Sequence, residues 1–218
     1  MTKQPAQLTQ DDLHKIEEAV QEAEARTGGE IVPVLAKQSS FYEVALWRAA
    51  TFLAGLSGVL LTVVYLTTDL LLFMPPYLWL LLVLTAALIG MTLAISSWPV
   101  KRLFLSREKL TARVLDKAKN MFYDHEVHLT EPRTGILIYV SFFEHQAVIL
   151  ADLGIDELVT EDSWSGIVQQ LTRGLNQGRT TESICEAILA CGQLLEESGV
   201  HKPIDDDNNL SDEVRINE

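Results

Sequence analysis

The segment "ADLGIDELVTEDSW" places Asp152, Asp156, Glu157, Glu161 and Asp162 on one loop behind an apolar run. Hard cations such as Ca²⁺ are held by oxygen ligands, so acids gathered at the end of a strand are a suitable donor set. Asp152, Asp156 and Glu157 are the residues on which a site for Ca²⁺ or another divalent cation would centre. The spacing departs from the EF-hand loop, because Gly154 stands where that pattern needs an oxygen donor. The same acids also suit a turn followed by a helix, with Asp162 or Ser163 as the cap and early acids facing the helix dipole. For Asp162 the cap is the better reading, whereas Asp152 keeps both.

"YDHEVH" offers His125 and His128, with His145 as a third zinc ligand if a downstream turn folds over this helix end. H-E-x-x-H is absent, and a polar helix terminus is the plainer alternative. Phosphatase chemistry needs a nucleophile or a metal pair. Neither Cys185 nor Cys191 is followed six positions later by arginine, and neither D-x-D-x-T nor a phosphate-cradling P-loop occurs. Arg133 alone is more readily an ion-pair partner than a phosphate clamp. The chain therefore reads as a binding protein more readily than as an enzyme, with no organic cofactor.

The elements that would position these groups are legible. Thr9 and Asp12 form a capping box ahead of a helix with Leu13, Ile16, Val20 and Ala23 on one face, ended by Gly28-Gly29. "EIVPVLA" is a strand. Ser106 opens a second helix to about Glu126, and "GILIYVS" and "QAVILAD" form an antiparallel hairpin whose turn holds Glu144 and His145. Two helices follow, the first with Trp164, Ile167, Val168 and Leu171 as a core stripe, the second closed by Gly199. Cys185 and Cys191 are about 600° apart on that last helix, so they read as free thiols in a reducing compartment.

Between the first strand and the second helix lie two uncharged runs. Residues 47–66 and 76–97 are each long enough for a bilayer core of about 30 Å, with Pro75-Pro76 starting the second. Trp47, Tyr65, Tyr77, Trp79 and Trp98 fall near their ends, where amphipathic rings prefer to sit. Lys37, Arg48, Lys101, Arg102, Arg107 and Lys109 flank the pair, while the connection carries only Asp69. The positive-inside rule then puts both flanks in the cytoplasm. No cleavable signal peptide is expected, since the first residues lack an apolar core.

The chain has 218 residues and a formal net charge of −13, which excludes a nucleic-acid partner because phosphates need a basic face. From Asp205 onward six acids face one arginine, a net of −5, so residues 203–218 are expected to be a disordered acidic tail. A helix and one strand cannot bury a core alone. Residues 8–40 and 103–200 are thus the two parts of one α/β domain, interrupted by a hairpin over 46–98. The bilayer is one partner.

As an ordered set, "AEARTGGEIVPVLA", "RTGILIYVS", "EHQAVILADLGI", Trp164 and "ICEAILACGQLL" resemble the TPM domain family. The resemblance implies a small three-layer α/β fold with a central mixed sheet, beside transmembrane helices. It also implies association with membrane protein complexes, in assembly or quality control. For some members it brings acid phosphatase activity with bound divalent metal. Many members carry Asp-Asn-Gly before the second strand and Gly-Tyr-Gly after the third. Here those positions read Arg133-Thr134-Gly135 and Asp152-Leu153-Gly154.

Overall fold

Strand β1, Glu30–Ala36, is buried along its whole length. Its side chains Ile31, Val32, Val34 and Leu35 offer apolar surface to both sides, as a strand covered on two faces requires. It pairs in parallel with β2, Gly135–Ser141, from Glu30↔Gly135 to Ala36↔Ser141. Strand β2 pairs antiparallel with β3, Gln146–Ala151, and β1 pairs in parallel with a short β4, Arg215–Asn217. The four-stranded sheet runs β3-β2-β1-β4. This computed structural model describes residues 8–68, 74–130, 133–156, 158–200 and 214–217.

The helices are α1 (Gln10–Glu24), α2 (Glu43–Thr67), α3 (Pro76–Ser96), α4 (Trp98–Leu103), α5 (Arg107–Asp124), α6 (Leu153–Asp156), α7 (Glu161–Asn176) and α8 (Thr180–Glu197). They fall into two units. One comprises residues up to Ser39 together with Thr111 onward; the other is Ser40–Leu110.

In the first unit α5 covers one face of the sheet. Val114, Ala118, Met121 and Phe122 pack on Val32, Val34, Ala36, Leu137 and Tyr139. α1, α7 and α8 form the opposite layer, giving the α/β/α sandwich and mixed sheet expected from the sequence. α8 lies close against α1 because Gly192 has no side chain where Ala23 sits. Its last turn meets β1 through Leu195 against Gly29. Thr9 caps α1 through the predicted box, its hydroxyl accepting from Asp12 N at 3.1 Å while Asp12 Oδ2 accepts from Thr9 N at 3.0 Å. Asp12 Oδ1 also accepts from Thr181 at 2.9 Å, tying that cap to α8. Gly199, at φ +83°, turns the chain after α8, with Val200 N donating to Leu195 O.

Three local expectations are corrected. α1 ends at Glu24 with Ala25 as its cap, so the helix stops before Gly28-Gly29. α7 begins one turn position early, capped by Thr160, so neither Asp162 nor Ser163 is the cap. Residues 203–213 lie outside the described residues, but the segment read as a solvated tail contributes β4.

The second unit pairs α2 with α3. At about 1.5 Å per residue they measure about 37 and 32 Å, enough for a hydrocarbon core of about 30 Å. Only 11% of the apolar window of each is buried, whereas the core helix of a soluble domain is mostly buried. Their crossing uses small residues: a Cβ on Gly90 would stand 2.5 Å from Ala49 O. Tyr65 meets Trp79 edge-on at 5.4 Å near the connection. At the other end Arg48 Nη1 donates to Phe104 O at 2.9 Å, and Lys101 lies over the Tyr42 ring. Two helices long and apolar enough to cross a membrane are therefore present.

Candidate functional site

The start of β2 and the end of β3 meet at Asp152. Asp152 N donates to Gly135 O at 2.9 Å, and Gly154 N donates to Arg133 O at 3.1 Å. Thr134 Oγ1 donates to Gly28 O at 2.8 Å, bringing the entry to β1 into the same corner. Gly135 is required there, because any Cβ would run into Val127 O behind it. Arg133 takes a left-handed φ of +69° just before it.

Asp152 is 5% exposed. Its Oδ1 accepts from Leu153 N at 2.8 Å, starting α6. Its Oδ2 accepts no hydrogen bond and lies 3.4 Å from Arg133 Nε, a charge contact without hydrogen-bond alignment. The positive charge that a cation would supply thus comes from this chain's own guanidinium. Asp156 ends α6, its side chain and all of Glu157 being outside the described residues. Among the described residues no group of three or more His, Cys, Asp or Glu side chains is placed to hold a metal ion.

The histidine trio is not assembled. Val127 packs behind Gly135, at the start of β2, and His125 and His128 flank it in sequence. His145 lies past the other end of β2, where its Nδ1 meets Asn176 Oδ1 at 3.0 Å and neighbouring Gln146 bonds Thr111 in the second turn of α5. A strand of seven residues separates the two ends by about 20 Å.

The turn Phe142–His145 holds what the sequence reading missed. Phe142 N and Phe143 N donate to Ala36 O and Lys37 O, which buries the turn. Glu144, read as a turn residue, is 2% exposed. Its Oε1 accepts from Ser39 N at 2.8 Å and its Oε2 accepts a short hydrogen bond from Ser141 Oγ. Ser39 Oγ donates to Ser141 Oγ at 3.0 Å and lies 3.1 Å from Tyr139 Oη. Burial pushes the Tyr139 hydroxyl up to about 12, against the smaller opposing effect of the Ser39 contact. A tyrosine that holds its proton and a carboxylate with both oxygens engaged make a tie, not a nucleophile and base. The tie fastens Ser39, the last residue of this unit before the chain leaves for α2. The signal was present: Tyr139 and Ser141 alternate on one face of β2, and a single acid follows two phenylalanines.

Cys191 is fully buried and its thiol is pushed up to about 12 by that burial; Cys185 is partly exposed and also raised, chiefly by burial. Both are free.

No known protein family's sequence profile matches the chain, and no curated protein matches it. A solved structure does. The NMR structure of the BA42 protein, from the psychrophilic bacterium Bizionia argentinensis, superposes with a TM-score of 0.60 at 19% identity, covering 99% of each chain. At that identity the likeness is one of fold, and the TPM resemblance rests on the same ordered motifs as before.

Proposed function

We propose that this chain is an integral protein of a bacterial inner membrane, anchored by α2 and α3, whose α/β domain binds another membrane protein or complex without catalysis. It would serve assembly or quality control of that partner. The observation that carries this reading is the exposure of α2 and α3, 11% buried over apolar windows, on a chain that also builds a complete folded sandwich. The cationic residues Arg48, Lys101, Arg102, Arg107 and Lys109 support cytoplasmic termini. The likeness in fold to BA42 supports the α/β part of this reading. Crosslinking of the intact chain in membranes, followed by identification of captured proteins, tests the binding role. A reporter fused after Gly199 that works only outside the cytoplasm would reverse the orientation.

A second reading is favoured by Asp152 Oδ2, a buried acceptor without a hydrogen bond. It gives Asp152, with Asp156 and Glu157, a divalent cation and a metal-dependent phosphohydrolase activity. Calorimetry with Ca²⁺, Mg²⁺ and Mn²⁺ tests it, and heat on none of the three removes it.

A further inference from the structure

The charges of residues 40–110 are unevenly placed. All five cations, Arg48, Lys101, Arg102, Arg107 and Lys109, lie at one end of the α2–α3 pair, within residues 40–48 and 98–110. Glu43 and Glu108 are the acids of the same two stretches, so five positive charges against two leave +3 there. The chain as a whole carries −13. This end is thus a cationic island on an acidic protein.

Packing gathers the island from two distant stretches of chain. Arg48 Nη1 donates to Phe104 O, 56 positions on, which uses one of the five N–H donors of an exposed guanidinium. Lys101 Nζ lies 5.9 Å from the centre of the Tyr42 ring, and the Phe52 and Phe104 rings meet at 5.8 Å. Phe104 N and Leu105 N donate back to Lys101 O and Arg102 O, so α4 passes into α5 through a tight turn. Depth follows from length. At 21 residues α3 matches a hydrocarbon core of about 30 Å, and α4 starts at Trp98, two residues past its end. Set in a bilayer, Lys101 and Arg102 stand at headgroup level. Apolar groups are interleaved with them: Phe41, Trp47 and Leu103 are 79%, 65% and 79% exposed. Cations alone attract any anion, whereas cations mixed with exposed rings at this depth suit the boundary between charged headgroups and acyl chains.

We propose that this end of the α2–α3 pair is a binding site for anionic phospholipid, in which Arg48, Lys101 and Arg102 take the headgroup phosphate and Trp47 and Leu103 enter the acyl boundary beside it. Arg107 and Lys109 add to the attraction from the start of α5. The proposal rests on the anchoring role of α2 and α3 and adds to it a choice among lipids. Each lysine or arginine near an anionic membrane surface contributes about a fivefold factor in affinity. A second copy of the chain would bring the same cations to this end and be repelled by them.

The test reconstitutes the full chain in phosphatidylcholine vesicles holding a trace of spin-labelled phosphatidylglycerol or spin-labelled phosphatidylcholine. The fraction of each label immobilised by the protein gives their relative affinity. Phosphatidylglycerol is expected to be preferred about fivefold or more. The preference should fall close to one in Arg48→Gln/Lys101→Gln/Arg102→Gln. Because that variant removes the Arg48 bond to Phe104, a second one, Arg102→Gln/Lys109→Gln, keeps the bond and the Lys101–Tyr42 contact and should lose part of the preference. Equal immobilisation of the two lipids by the native chain overturns the site and leaves the cations to an acidic protein surface. A preference untouched by both variants also overturns it. Inorganic phosphate that abolishes the preference, at an ionic strength where chloride does not, would make this a site for the free anion instead. Entry into the vesicles and resistance to alkaline extraction test the anchor separately. A chain that enters without preferring phosphatidylglycerol keeps the anchor and loses the site, and one that never enters loses both.

Discussion

Arg133 and Asp152 face each other across the junction of β2 and β3, with Nε 3.4 Å from Oδ2. One partner is more than half exposed and the other is nearly covered. An ion pair open to water on one side contributes little, below about 1 kcal/mol. The larger role of Asp152 is the bond its Oδ1 accepts from Leu153 N. Asp152→Ala is therefore expected to destabilise the domain by about 1–2 kcal/mol, and Asp152→Asn by clearly less. Denaturant unfolding of both variants with Arg133→Ala would separate the two effects. A coupling above about 2 kcal/mol would show the pair to be the main contribution.

Glycine substitutions should split by position. Gly135→Ala pushes a methyl group into Val127 O, which is backbone and cannot swing away. A loss of about 1–3 kcal/mol is expected. Gly166→Ala, on α7 with open space around it, should stabilise by about 0.5–1 kcal/mol through helix propensity. Thermal unfolding of the two variants checks the contrast.

Glu144→Ala leaves Ser39 N and the Ser141 hydroxyl buried without their acceptor, at a cost of about 2–3 kcal/mol. Tyr139, in the same network, governs alkaline behaviour. Its folded hydroxyl is raised above the ordinary value of 10.0 to about 12. The unfolded chain releases that proton first. Stability should be intact below pH 10 and fall as pH rises from there toward 12. Tyr139→Phe should remove that fall, as followed by unfolding across the alkaline range.

His125 is lowered from 6.5, first by burial and then by the Arg215 cation; Lys117 acts the same way and Asp124 opposes. Stability from keeping it neutral is present above 6.5 and is lost as pH falls below that value. An NMR titration of the His125 ring should move up in Arg215→Ala. No movement would show that Arg215 does not approach this helix end in solution.

Much of the sandwich was legible because its signals are local. Glu30–Ala36 and Gly135–Ser141 are unbroken apolar runs between turn residues, and both strands have the boundaries those runs imply. The capping box of Thr9 and Asp12 reads equally directly. β4 was hidden because Arg-Ile-Asn has no apolar period and depends on an edge left open by a strand 181 positions earlier. The Glu144 tie was hidden for a related reason: Ser39 and Glu144 are 105 positions apart, and nothing near either one announces the other. The histidines misled because sequence proximity to a turn does not say which end of a strand a helix will finish on.

That separation of 105 positions has a consequence for biosynthesis. At about 5–20 residues per second, β1 waits roughly 5–20 s for β2 to leave the ribosome. On the proposed anchoring, α2 and α3 are made and settle during that interval. If α2 and α3 both cross the bilayer, the two parts of the sheet emerge on one side and can join. If a single helix crosses, the halves are stranded on opposite sides and Glu144 never meets Ser39. On the proposed anchoring, closure of the sheet would therefore depend on both helices having crossed.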